Sequence, residues 1–66
     1  MRERIVEFES KARAAMSGLH TTMTRSQYSA TLMKYGDWFF WNGVPRVFRA
    51  KHVGGGIWSV WSEVKL

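Results

Sequence analysis

The chain has 66 residues, ten Lys/Arg against five Asp/Glu, a net charge of +5 and no cysteine. That length allows one small domain over residues 1–66, able to bury only about 60% of its unfolded surface. Without cysteines there is neither a disulfide framework nor a thiolate zinc site, so apolar packing or self-association must supply the stability. At 45% hydrophobic and 23% charged the composition is that of a globular domain and excludes a disordered tail.

Residues 2–17 predict a helix. Ile5, Phe8, Ala12, Ala15, Met16 and Leu19 recur at spacings of three and four and so share one stripe. Glu7 with Lys11 and Glu9 with Arg13 are i,i+4 pairs in the favourable order. Gly18 stands where a left-handed C-terminal cap is wanted. Thr24 with Gln27 fits a capping box for a second helix, and Met23 with Tyr28 fits the accompanying hydrophobic staple. Tyr28, Leu32 and Tyr35 make its narrow apolar stripe, and Gly36 its stop. The gap at 19–23 is slightly long for the tight turn of a helix-turn-helix.

After Gly36 the period becomes strand-like. Residues 37–41 are aromatic-rich and run into Asn42-Gly43, a strong hairpin signal. Residues 44–53 form a second strand with Pro45 near its start, where strands tolerate it. Gly54-Gly55-Gly56 turns into a third strand at 57–66. This triple glycine lacks the Gly-Lys-Ser/Thr ending of a phosphate loop and joins strands, so it reads as a hairpin turn. The expected fold is α+β, with two N-terminal helices packed on a three-stranded antiparallel β-meander in the order α-α-β-β-β.

Register assigns two faces. Pairing Val53 with Ile57 and Trp41 with Val44 puts Phe39, Trp41, Phe48, Ala50, His52, Trp58, Val60, Val64 and Leu66 on the side that the helices should cover. Trp38, Phe40, Val47, Arg49, Lys51 and Trp61 fall on the other side, with Arg49 directly across from Trp61. That second face is too apolar for ordinary solvated sheet, so it predicts a binding surface. Bases stacking on the rings with phosphates on the cations would cover it. So would a protein, since Trp and Arg anchor interfaces, a second copy in a homodimer, or the first helix.

A basic chain of this size is attracted to polyanions. No carboxylate lies between Glu9 and Asp37, whereas Lys11, Arg13, Arg25 and Lys34 do. The outer side of the second helix is expected to offer Arg25, Ser26, Gln27, Ser29, Thr31 and Lys34 to phosphates or base edges. Two helices followed by a β-hairpin resemble, in architecture, compact winged helix-turn-helix modules. The resemblance implies a glycine-loop wing flanked by Lys51 and His52. In scale the chain also resembles small proteins of phages and mobile elements, which implies an alternative: an inhibitor or adaptor that seats the same Trp/Arg face on a host protein or defence complex.

No catalysis is expected. His20 and His52 are far apart with no second ligand at metal spacing, so no metal or cofactor is called for. Arg49, Lys51 and His52 would suit acid–base cleavage of RNA, but strand alternation puts His52 on the opposite face from the two cations. There is no secretion signal and no apolar run long enough for a membrane span, so the expected setting is cytoplasmic. The expected role is a small basic binding module with DNA or RNA as its first partner and no small-molecule substrate. Trp38, Phe40, Arg49, Lys51 and Trp61 would carry it on the sheet, and Arg25, Gln27 and Lys34 on the second helix.

Overall fold

The computed structural model describes the backbone of residues 2–66 and the side chains of residues 9–66. Its elements run α1 (Arg2–Met16), β1 (Thr21–Thr24), α2 (Arg25–Tyr35), β2 (Trp38–Trp41), β3 (Val44–Gly54) and β4 (Ile57–Val64). The four strands form one sheet in the order β1-β4-β3-β2, and every neighbouring pair is antiparallel. The α+β class is as expected, but the three-stranded meander is corrected to four strands. The connection between the helices is itself a strand, so they are not joined by the turn of a helix-turn-helix.

That extra strand follows from its residues. Threonine is β-branched and favours the pleated conformation. Thr21–Thr24 pairs with Val60–Ile57, which puts Met23 on the covered side and Thr22 outward. Met23 is fully buried and packs in the core with Tyr28 beside it. It therefore serves the sheet and the entry of α2 at once. Thr24 ends the strand and caps the helix: its hydroxyl accepts from the Gln27 amide at 3.2 Å, and the Gln27 side chain accepts from the Thr24 amide at 3.0 Å. The expected capping box is present.

Both hairpins keep the expected registers, with one local change. Trp41 pairs with Val44 around Asn42-Gly43, and Asn42 takes the positive φ of 51° that a tight hairpin turn demands. Across the second turn His52 faces Trp58, Ala50 faces Val60 and Arg49 faces Trp61. The expected Val53–Ile57 pair is replaced by Gly54–Ile57, which leaves Val53 as the extra residue of a bulge. Gly54, Gly55 and Gly56 have φ values of 107°, 58° and 73°. Three successive positive φ angles let the turn close over two residues, a tightness side chains at these positions would resist.

Both helices lie on one side of the sheet. The core comprises Ala15 and Met16 of α1, Met23, Phe39, Phe48 and Val60, with Tyr28, Leu32, Tyr35, Trp41, Ala50 and Trp58 packed around it. These are the sheet residues assigned to the covered face. The molecule measures 32 × 27 × 18 Å, and its short axis is the thickness of one sheet and one helix layer. Three expected core members fall outside this cover. Val64, the last residue of β4, and Leu66 beyond it are exposed, and His52 is exposed at the glycine end with its ring 5.0 Å from that of Trp58. Leu19 is also exposed, since the helix stops at Met16 and Gly18 turns the chain away. Ile5, Phe8 and the Glu7 carboxylate belong to side chains outside the described residues. Glu9 reaches across to Lys34 of α2 at 3.4 Å in place of the expected pairing with Arg13.

The C-terminus of α1 is tied to the sheet by a buried polar bridge. Gly18 donates to the Ala15 carbonyl at 3.1 Å and Leu19 to that of Ala14 at 3.0 Å, the paired bonds of a Schellman cap. Ser62, buried on the covered face, donates its hydroxyl to the Met16 carbonyl at 3.0 Å. Arg46 of β3 donates to the Ser62 hydroxyl at 2.9 Å and to its carbonyl at 2.8 Å. A guanidinium is thereby fixed beside a helix C-terminus, where its charge is favoured.

Candidate functional site

The opposite face of the sheet carries no helix. Alternation from the observed pairs assigns it Trp38 and Phe40 of β2, Val47, Arg49 and Lys51 of β3, and Ser59, Trp61 and Glu63 of β4. All five sheet residues expected to bind thus share one surface. Trp38 is 44% exposed and Phe40 63%, large values for rings of this size. The two stand edge to face with centroids 5.3 Å apart, so much of each ring still looks outward.

Three residues that sequence reasoning did not assign to this surface complete it. His20, just before β1, stacks on Trp61 with centroids 4.4 Å apart and planes 17° from parallel, and its Nδ1 lies 3.3 Å from the Ser59 hydroxyl. Lys65, just past β4, places its ammonium 4.6 Å from the centre of the Trp38 ring. Glu63 binds two of the expected site residues. The Trp61 indole donates to one carboxylate oxygen at 3.1 Å, and Arg49 donates to the other at 3.4 Å. The indole hydrogen bond, assisted by Arg49, holds the Glu63 carboxyl below its ordinary range. Glu63 could have been found by parity, being two residues beyond Trp61. Lys65 shares that parity within the expected strand at 57–66 and could have been found the same way, whereas His20 lies outside the strands, where alternation is silent.

Electrostatically the face sets Arg49, Lys51 and Lys65 against the single carboxylate of Glu63 among the described residues. The Arg49–Glu63 pair is exposed on both sides and contributes little net stability, so Arg49 exchanges readily to another anion. Asp37 lies elsewhere, close enough to Tyr28 on the helix side to affect its hydroxyl.

The second-helix candidates do not join this surface. The Tyr28, Leu32 and Tyr35 side of α2 packs on the covered face, so its outer side looks away from Trp38 and Trp61. Arg25 and Lys34 are exposed there, Lys34 in its pair with Glu9. Gln27 is committed to the cap through its side-chain oxygen. Thr31, expected on the outer side, is instead fully buried and donates to the Gln27 carbonyl at 2.8 Å with the Met23 sulfur at 3.7 Å. Its short side chain with an internal hydrogen-bond partner suits the close approach of α2 to β1.

His52 belongs to the covered side by register, across the sheet from Arg49 and Lys51. Among the described residues no three His, Cys, Asp or Glu side chains gather in a way that would hold a metal. No described helix is long and apolar enough to cross a membrane. Comparison with protein-family models, with curated proteins and with solved structures finds nothing that matches this chain.

Proposed function

We propose that this protein is a small non-catalytic module that binds nucleic acid on the open face of its sheet. The observation that carries the reading is the interleaving of exposed rings with cations on one surface that the protein's own helices leave bare. Rings offer sequence-tolerant stacking to bases, and cations beside them meet the phosphates between those bases. The net charge of +5 acts at longer range, drawing a polyanion toward the domain before contact.

Three cations limit the affinity of one copy, so binding should be weak and salt-sensitive. A mobility shift with mixed-sequence DNA or RNA should appear at low salt with tens of micromolar protein and fade steeply as salt rises. Lys51→Ala should weaken binding to every sequence and flatten the salt dependence by about 0.7–0.9 in log–log slope. Absence of any shift at low salt would remove the proposal. A defined partner pulled down after nuclease treatment, and lost in Phe40→Ala, would favour the inhibitor or adaptor reading of the same face.

A further inference from the structure

Resting on that reading, we infer that the open face takes single-stranded in preference to duplex nucleic acid, and that Glu63 is a built-in competitor that occupies Arg49 until a phosphate replaces it.

Shape supports the first half. The face is the broad side of a four-stranded sheet, roughly 15–20 Å across. A major groove about 12 Å wide admits one helix or a two-stranded ribbon. This sheet is three strands wide at both ends: β1 flanks β4 beside the glycine turn, and β2 flanks β3 at the other end. Neither end is a ribbon that would enter a groove, and both helices lie behind. A duplex would thus meet only the cations, because its bases cover one another's faces.

An unstacked strand uses the whole surface. Trp38 and Phe40 form one exposed platform, and the half-buried Trp61 with His20 stacked on it forms a second, two strands away and offset by two residues, where a base meets the His20–Trp61 stack rather than a bare indole. Strand geometry separates the two tryptophan backbones by roughly 12 Å, enough for different bases to reach them. Arg49, beside Trp61, and Lys65, against Trp38, put one cation next to each platform.

Glu63 explains how Arg49 behaves before the strand arrives. Its carboxylate holds the guanidinium through one 3.4 Å contact between two half-exposed side chains, an arrangement a phosphate displaces easily. The same carboxylate repels the backbone of any strand laid across the face. Glutamine at this position keeps an oxygen for the Trp61 indole while removing both the charge and the hold on Arg49.

The test measures fluorescence anisotropy of labelled oligonucleotides of about 20 nucleotides, one single-stranded and one as a duplex with its complement. The single strand should bind at least tenfold more tightly, and Phe40→Ala should remove most of that difference. Glu63→Gln should tighten single-strand binding about 3- to 10-fold at low salt, because Arg49 no longer has to leave a carboxylate to meet the phosphate. Equal affinity for the two forms overturns the strand preference while leaving nucleic-acid binding in place. An unchanged affinity in Glu63→Gln overturns the role of Glu63. Failure of both oligonucleotides to bind overturns the inference together with the reading beneath it, and leaves the face to a protein partner. Phe40 is largely exposed, and far-ultraviolet circular dichroism checks that each variant is folded.

Discussion

Replacing Gly18 by alanine perturbs the join between α1 and the sheet in two separable ways. The first is local. Gly18 sits at φ 103°, beyond even the narrow left-handed region open to side chains, which costs an L-residue about 1–2 kcal/mol. The second reaches across the fold. A methyl group at Gly18 would fall 2.6 Å from Arg46 Nη2, the nitrogen that donates to the Ser62 carbonyl at 2.8 Å. Arg46 is flexible enough to move but loses a charge-assisted hydrogen bond in doing so, worth about 1.5–3 kcal/mol. Together these predict a loss of about 2.5–5 kcal/mol, a large share of the roughly 3–10 kcal/mol that a domain of this length possesses. The melting temperature followed by circular dichroism should fall by on the order of 10–40 °C. Urea titration gives the free energy directly, and the same change in an Arg46→Ala background should cost only the backbone share, about 1–2 kcal/mol. A loss below about 0.5 kcal/mol would refute the argument as a whole. An equal loss in both backgrounds would refute the part that passes through Arg46.

Two further outcomes follow from the helix side. Burial, and secondarily the charge of Asp37, push the Tyr28 hydroxyl above its usual pKa, so the folded state retains this proton longer than the unfolded chain. Its contribution is fully present below about pH 10 and is lost as pH rises through the raised folded value. The melting temperature should therefore drop more between about pH 9 and pH 11 for the native protein than for Tyr28→Phe; parallel declines would refute the linkage. Thr24→Ala removes the hydroxyl half of the capping box and should cost about 0.5–2 kcal/mol in urea unfolding, with Thr24→Ser restoring most of it. No loss in Thr24→Ala would show that β1 pairing alone holds the start of α2.

Most of the local structure was legible because its causes are local. The capping box, the staple, the Asn42-Gly43 turn and the stop at Gly36 each depend on residues within a few positions of one another. Period-two alternation then carried the registers from turn to strand, which is why the pairings Arg49–Trp61 and Trp41–Val44 were as expected. At the glycine turn the same arithmetic missed by one residue. Three consecutive glycines permit several closures, and only the twist of the strands selects the two-residue turn with Val53 bulged.

β1 was not legible. Thr21–Thr24 contains one apolar residue and no turn signal of its own, and it becomes a strand only because the edge of β4 is there to accept it. Thr31 was misplaced for a related reason: a hydroxyl reads as outward on a helix unless the neighbouring strand that buries it is known. The Arg46–Ser62–Met16 bridge joins three elements distant in the chain, so no window of sequence contains it.

Taken by itself, the amino-acid order determined which residues cap, turn and alternate, and therefore which side chains share a face. Those are short-range properties of backbone stereochemistry and pattern. That a fourth strand closes onto β4, that Thr31 of α2 is buried, and that His20 comes to stack on Trp61 were decided only by tertiary structure. Each depends on contacts between distant segments, whose closure entropy is offset only when the whole core assembles.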